Sequence, residues 1–566
     1  MTTSRSTIAP MADRSEAAES LFPPYAPTLP ALLAQALTDF RDQEFLIGAD
    51  RRLTYRQADD ESARVALGLL ALGVGKGTRV GIMMPNSPDW VICFLAVARI
   101  GALAVPISTL YQAPELAWVL AHADVQILLM VDRYLNHDYV ERLQAIPGFP
   151  DQQSPELVLR RLPFLRRVVV WGTAEQPWAQ RGPDFLVSRG LSDTRFDREF
   201  LDSVEATVAP ADDLMIIYTS GSTVEPKAVV HTHAAAIRLS YALQASGWGD
   251  VRLGDRLYST APFFWVGGHN SYLLPALFTG ACLVLPTSPD LDDVLDACER
   301  EQVTIVLAGM PQLKALGERA ASRGVRTRFR TLQDQVDANG APIPHELVPN
   351  VLGMTETFGP HGLERRGTRL PPEKAGAFGR SLPGLERKVV DPTTGEECGP
   401  GESGELYVRG YSVMRGFYKR LPEETFQADG YYATGDRCRI DADGFLYFEG
   451  RFGEMIKTSG ANVSPREVEV ALEREVAIRE AAVFGVPDPG RGEAVVAVVV
   501  PMTGASIDRD QLLDRLKDQL SHYKVPRFVF TMDYDDIPRT NTSKVRKQML
   551  RDLVIDRWEQ LTGPAH

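Results

Sequence analysis

Tyr218 to His233 reads YTSGSTVEPKAVVHTH. Four hydroxyl residues, Thr219, Ser220, Ser222 and Thr223, surround Gly221, and Lys227 follows. Hydroxyls and backbone N–H groups donate hydrogen bonds to phosphate oxygens, and a lysine neutralises their charge. The apolar run Leu214 to Ile217 predicts a buried strand before the turn, and Ala228 to Val230 predicts another after it. A polar turn between two strands is a place for a phosphate. It is not a Walker-type loop, because Pro226 precedes the lysine where that motif has glycine. Taken alone, the stretch is equally a surface Ser/Thr turn.

Upstream, apolar runs alternate in type. Leu33, Leu37 and Phe40 recur at helical spacing within 31–40, Leu53 to Tyr55 predicts a short strand, and 64–72 predicts an amphipathic helix ending at Gly73. Strands are expected at 80–84, 103–106, 125–131 and 168–171, with a helix at 90–100 closed by Gly101. Residues 151–160 read as an irregular excursion. Downstream, 256–258, 282–285 and 303–307 continue the pattern. Strand–helix–strand alternation with glycines at the joints predicts an α/β fold of helix-covered, mostly parallel sheets.

Bulk properties narrow the class. Apolar content of 44% and charged content of 24% are those of a globular chain with an ample core. A net charge of −13 argues against a nucleic-acid partner. The cysteines, Cys93, Cys282, Cys298, Cys398 and Cys438, form no CxxC pair, which suits reduced thiols in a cytoplasmic protein and no zinc site. No apolar run reaches the length of a membrane span; the one at 91–98 stops at Arg99. The polar N-terminus lacks a secretory core, and residues 1–25 are expected to be a disordered tail.

Near Gly404 the texture changes. Gly404 to Gly410, Tyr431 to Asp436 and Gly444 to Phe448 alternate like strands of a small antiparallel, barrel-like part. Beyond Gly450, helices at 465–474 and 510–520 and strands at 481–486 and 494–500 suit a small α+β domain. The expected division is a tail at 1–25, a large domain at 26–450 and a small C-terminal domain at 451–566.

Five segments then stand in order: YTSGSTVEPKAVVHTH, GMTET (Gly353–Thr357), YATGD (Tyr432–Asp436), GRFGEMIKTSGANVSPREVE (Gly450–Glu469) and PRTNTSKVRK (Pro538–Lys547). Together they resemble the adenylate-forming enzymes, and within them the AMP-forming acyl-CoA synthetases, over roughly residues 30–550. The resemblance implies acid–thiol ligation with ATP, Mg²⁺ and coenzyme A. Thr219, Ser220, Gly221, Ser222, Thr223 and Lys227 would hold the β- and γ-phosphates. Gly340, Ala341 and Pro342 would line the adenine, Thr355 would contact the α-phosphate, and Glu356 would ligate Mg²⁺. Asp436 would accept hydrogen bonds from the ribose, with Arg451 beside it. Lys544 would stabilise the crowded anions of adenylation, and Gly460 and Lys457 would serve the CoA pantetheine. The small domain would swing about Gly453 between two half-reactions. Singly, each residue has an ordinary use: Thr355 and Glu356 in a helix start, Asp436 in a turn, Lys544 as a solvated charge.

The family resemblance also assigns an acyl pocket to Pro262–Gly268. It contains no Asp or Glu, so an amino-acid ammonium would be buried unpaired, which excludes amino-acid activation. Phe264 and Trp265 offer flat apolar surface, and Gly267, Gly268 and Gly353 leave room. A bulky hydrophobic acid is expected, whether long-chain, aryl or polycyclic. Four departures fall on the ATP half. Val224 and Ala228 stand where the family has glycines, Leu352 replaces an adenine-stacking aromatic, and only nine residues separate Pro342 from Leu352. Impaired adenylation is expected, with acyl-AMP supplied by a partner adenylating ligase. A full two-step synthetase, a degenerate binding protein, and a carrier-protein pantetheine in place of free CoA stay open.

Overall fold

The computed structural model describes residues 22–149, 152–219, 226–285, 288–308, 310–325, 329–331, 335–337, 340–452, 456–458, 461–463, 465–488, 492–520, 524–539 and 544–562. The chain forms two compact units. One is Met1–Glu386 with Val408–Tyr432, and the other is Arg387–Tyr407 with Ala433–His566. The fold is α/β, with helix-covered, mostly parallel sheets in the large unit and a smaller mixed unit towards the C-terminus.

The first unit carries two large sheets. The eight-stranded one runs in the order Gly416–Phe417, Lys227–Thr232, Asp213–Thr219, Leu103–Pro106, Arg79–Met83, Ile127–Val131, Arg167–Trp171 and Ala179–Arg181. From Asp213–Thr219 outward through Leu103–Pro106 all pairings are parallel. On the other side the pairings are antiparallel. The six-stranded sheet is parallel except for its hairpin of Glu44–Ile47 with Arg52–Thr54.

The helix Pro88–Arg99 is apolar all round, and every residue except Asp89 is buried, as a core helix must be. Ser87 caps it, its Oγ accepting from the Trp90 N–H at 3.1 Å. It ends on Arg99, a buried cation matched by Asp59 at 2.8 Å and Glu205 at 2.6 Å. The helix expected at 64–72 begins earlier and spans Tyr55–Ala71. Thr54 and Gln57 form a capping box there, and the buried Tyr55 hydroxyl donates to the carbonyls of Ala276 and Ala281. Tyr55 is therefore a helix residue and not the strand residue expected.

The second unit carries most of a four-stranded sheet, in the order Leu385–Val390, Ser403–Gly410, Tyr432–Ile440 and Leu446–Arg451. It also carries a five-stranded sheet centred on Ile478–Asp488 and Gly492–Pro501. The boundary expected at 450/451 falls at the end of Leu446–Arg451, within this unit. Of the expected tail, residues 1–21 lie outside the described residues, as does Gly453. Phe22 packs edge-on against Tyr411 at 5.0 Å, and Tyr25 lies against the core. No helix among the described residues is long and apolar enough to cross a membrane.

The helices Tyr55–Ala71 and Gly182–Ser192 cross at a pair of glycines. A Cβ on Gly68 would lie 2.1 Å from the Leu186 carbonyl oxygen, and one on Gly190 would lie 2.9 Å from the Gly68 nitrogen. Gly68→Ala should therefore destabilise the protein by about 1–3 kcal/mol through overpacking. Gly75→Ala, with nothing within 4 Å of its Cβ, should stay within about 0.5 kcal/mol. Denaturant midpoints of the two variants check this; equal midpoints would contradict the close crossing.

Candidate active site

The hairpin that opens the site joins Thr219 to Lys227, which face each other in register. Thr219 is the carboxyl end of Asp213–Thr219, at the edge at which open α/β sheets bind ligands. Ser220, Gly221, Ser222, Thr223 and Val224 lie outside the described residues. Lys227 starts its strand, with Nζ 5.3 Å from the centre of the Phe417 ring. The segment 415–418 runs beside that strand: the Arg415 N–H donates to Val230 O at 2.9 Å, and the Tyr418 N–H donates to Ala228 O at 2.8 Å.

Thr355–Thr357 forms one tight 3₁₀ turn, closed by Phe358 at φ 59° and Gly359 at φ 135°. Three outside groups hold its backbone. His231 Nε2 donates to Thr355 O at 2.6 Å, Met414 N–H to Glu356 O at 2.7 Å, and Asn270 Nδ2 to Phe358 O at 2.6 Å. The carbonyl can only accept, so the His231 proton sits on Nε2. Burial pushes this imidazole down to about 4, which keeps it neutral near pH 7. The Tyr432 hydroxyl reaches Glu356 Oε1 at 3.4 Å, and the Phe417 and Tyr432 rings lie 6.2 Å apart. Lys227, Phe417, Tyr432 and Glu356 thus form a chain of successive contacts. A carboxylate beside a threonine fits a hard cation that draws its remaining ligands from phosphate and water. Among the described residues no three acidic, His or Cys side chains gather into a self-sufficient metal site.

Asp436 and Arg451 belong to the second unit and are cross-strand partners there. Arg451 Nε donates to Asp436 Oδ1 at 2.7 Å, and the Asp436 side chain is only 5% exposed. Thr434 Oγ1 fixes the bend before it, donating to Leu406 O at 2.8 Å and accepting from Asp436 N–H at 3.0 Å. Lys544 is exposed in the same unit. Lys457 lies in the strand Ile456–Thr458, but its side chain, like the whole of Gly460, falls outside the described residues.

Gly340, Ala341 and Pro342 form a separate tight turn. Gly340 has φ 81°, and Asp337 Oδ1 accepts from the Ala341 N–H at 3.0 Å. In the expected acyl wall, Phe264 is buried and meets the half-exposed Trp265 edge-on at 5.5 Å. Phe263 is fully buried and stacks on Trp90 and Tyr272, at 4.7 and 5.7 Å. Asn86 pins this turn, accepting from the Phe263 N–H and donating to Ala261 O. The glycines divide by cause. A Cβ on Gly268 would lie 2.4 Å from Pro262 O, and one on Gly353 would lie 2.5 Å from the Gly359 carbonyl carbon. Gly267 has only Ala261 Cβ near it, at 3.9 Å. Asn86, His231, Asn270 and Tyr432 were not singled out from the sequence, because no local pattern marks a residue whose partner lies far along the chain.

Residues 33–418 match the model of the AMP-binding enzyme family, and residues 467–544 match that of the AMP-binding enzyme C-terminal domain. The chain is 31% identical to a putative acyl-CoA synthetase, YngI, of Bacillus subtilis (strain 168), over 94% of this chain and 97% of that one. It is 30% identical to the indoleacetate–CoA ligase of Aromatoleum aromaticum (strain DSM 19018 / LMG 30748 / EbN1), over 89% and 94%. Its fold superimposes on ATP-bound MatB from Rhodopseudomonas palustris with a TM-score of 0.72 and 26% identity, covering 94% of this chain and 100% of that one.

The two kinds of glycine should respond differently. Gly353→Ala must displace the hairpin of Leu352–Met354 with Gly359–Leu363, so stability and activity should fall together, stability by about 1–3 kcal/mol. Gly267→Ala should leave stability within about 0.5 kcal/mol and alter only the preference among acids. Melting curves and an acid panel run on both variants separate the cases; a destabilised Gly267→Ala would contradict the open space at that position.

Proposed function

Because the chain belongs to the AMP-binding enzyme family and is an acid–thiol ligase of the acyl-CoA ligase type, we propose that it forms CoA thioesters of a bulky hydrophobic carboxylic acid, and that its adenylation half-reaction is impaired. The observation that carries the nucleotide role is the chain of contacts through Lys227, Phe417, Tyr432 and Glu356, which starts at the carboxyl edge of the sheet. A carboxylate is a poor acyl donor because its leaving group is oxide. In the first step its oxygen attacks the α-phosphorus of ATP and pyrophosphate leaves. In the second the CoA thiol attacks the carbonyl of the mixed anhydride and AMP leaves.

Lys227 and the hydroxyls of 219–223 neutralise and bind the β- and γ-phosphates, Thr355 meets the α-phosphate, and Glu356 holds Mg²⁺, which offsets phosphate charge when bound. Asp436 and Arg451 bind the ribose side, and Gly340 to Pro342 the adenine. The part from 451 onward reorients about Gly453, bringing Lys544 for adenylation and Gly460 with Lys457 for thioester formation. Phe264, Trp265 and Gly267 face the acyl group. A flat bicyclic acid such as the one named for the Aromatoleum relative suits that surface.

Impairment rests on Val224 and Leu352. Ala228, the other replaced glycine, lies in a regular strand with no positive φ and costs nothing there. A β-branched residue in a phosphate-cradling loop is stiff and adds bulk, and a left-handed backbone there would cost it about 1–2 kcal/mol. Leu352 offers adenine no aromatic stack. Acyl-AMP carries no β- or γ-phosphate, so its thioesterification escapes most of this.

Two expected outcomes check the proposal. Synthetic acyl-AMP with CoA should turn over on the order of 10³-fold faster than free acid with ATP, Mg²⁺ and CoA, read as thioester by mass spectrometry. Comparable rates, or rapid acid-dependent exchange of pyrophosphate into ATP, would reveal an unimpaired two-step synthetase. Lys544→Ala should lower acyl-AMP formation by roughly 10²–10³-fold while sparing CoA capture of preformed acyl-AMP. Equal losses in the two half-reactions would remove Lys544 from the adenylating role.

A further inference from the structure

We infer that His231 and Asn270 are positioning residues, two arms of a buried bracket that aims Thr355 and Glu356; the catalytic consequence rests on the nucleotide role proposed above. The three-residue turn closes the hairpin of Leu352–Met354 with Gly359–Leu363. Within it Phe358 N–H donates to Thr355 O at 3.0 Å and Thr357 Oγ1 donates to Gly359 O at 2.6 Å, which leaves the orientation of the Thr355 peptide to a single internal bond. His231 supplies the second bond to that carbonyl, so both lone pairs of Thr355 O are engaged and its peptide plane has one orientation. Asn270 fixes the other end by donating to Phe358 O. Its amide cannot flip without loss, because Asn270 Oδ1 accepts from Ser271 Oγ at 2.6 Å. Phe358 sits in the left-handed region, which a Cβ disfavours, so the turn needs outside groups to hold it there. The His231 ring adds an edge-on contact to the Phe358 ring, at 5.0 Å and 75°.

These groups are buried. His231 and Phe358 are fully covered and Asn270 is 3% exposed, so water cannot replace the bonds they make. Thr355 and Glu356 themselves are only half-buried, as groups that meet a ligand must be. The bracket also ties the turn to two elements that border the site. His231 stands on the strand that begins with Lys227, and Asn270 stands on the short helical stretch that follows the Phe264–Trp265 wall. A residue that orients a metal-binding carboxylate governs metal affinity without touching the metal.

The test compares His231→Leu, which removes the donor, with His231→Gln, which can return an N–H near the position of Nε2. Hydrogen exchange of a peptide spanning 354–360, in free protein, should speed up about 10-fold in His231→Leu and return to within about 3-fold of the original in His231→Gln, while exchange in Ile478–Asp488 stays unchanged. Calorimetric titration with ATP at increasing Mg²⁺ should show the half-saturating Mg²⁺ raised roughly 10–100-fold in His231→Leu and restored by His231→Gln. Should His231→Leu not fold, Asn270→Ala replaces it in the same comparison. Unchanged exchange at 354–360 on loss of either arm overturns the bracket. So does a His231→Gln variant as defective as His231→Leu at equal melting temperature. If the unaltered protein binds no ATP at any Mg²⁺ concentration, the nucleotide role fails, and the exchange data still decide whether the bracket exists.

Discussion

The reversal of strand direction after Thr219 is the constraint on which the site depends. Asp213–Thr219 is the last parallel strand of its sheet, and Lys227–Thr232 returns beside it. Thr219 and Lys227 therefore stand side by side at the carboxyl edge of the parallel strands. Register then does the rest. Lys227 and His231 are four residues apart on one strand, so they share a face, while Ala228 and Val230 face the core with Ile216 and Tyr218. A slip of one residue would turn Lys227 and His231 into that core together. The short strand Gly416–Phe417 covers the edge that the returning strand would otherwise expose, and it brings the Met414 N–H to Glu356. One pairing decision thus places the lysine, the imidazole and the acidic turn.

Close backbone approach is the second constraint, and it separates packing from chemistry among residues that look alike in sequence. Gly268 and Gly353 are small because main chain passes within 3 Å of where their Cβ would be. Gly359 is excluded from carrying a Cβ by Asn270 Nδ2, which would lie 2.0 Å away, and its φ of 135° is one that side chains rarely adopt. Asn270 can therefore reach Phe358 O only because residue 359 is glycine. Gly267 alone among the glycines assigned to the acyl wall has ordinary space around it, so it is the one at which a larger residue changes the surface without moving the backbone.

Much of this was legible in the chain itself, for definite reasons. The hairpin was visible because a polar turn between two apolar runs has few other solutions. The parallel sheets were visible because strand runs alternated with helical ones at glycine joints, and the family was visible because five motifs stood in order. The start of the helix Tyr55–Ala71 was not, since Tyr55 reads equally well as strand until Ala276 and Ala281 supply acceptors for its hydroxyl. Phe263, Phe264 and Trp265 look alike as aromatics in one expected wall; only packing shows that Phe263 belongs to the stack with Trp90 and Tyr272. His231 was passed over for a related reason. One histidine after two valines carries no local sign that its partner is a carbonyl 124 residues away.

On the proposed reading, the charged groups of the site divide between the two units. Lys227, Thr355 and Glu356 belong to the first, whereas Asp436, Arg451 and Lys544 belong to the second. Adenylation needs cationic groups around a triphosphate, and thioester formation needs access for a thiol at the same carbonyl after pyrophosphate has gone. On the proposed reading, a group that crowds the carbonyl during adenylation would also obstruct the incoming thiol. A cation on a separate body can be present for one step and absent for the other. Asp436 and Arg451 are tied as cross-strand neighbours with a 2.7 Å ion pair. Lys544 stands on a different segment, beyond the five-stranded sheet. Because Asp436, Arg451 and Lys544 all belong to the second unit, the reorientation proposed above would have to divide that unit near Gly453, and Asp436, which precedes that point, is the ribose contact that would persist through both steps.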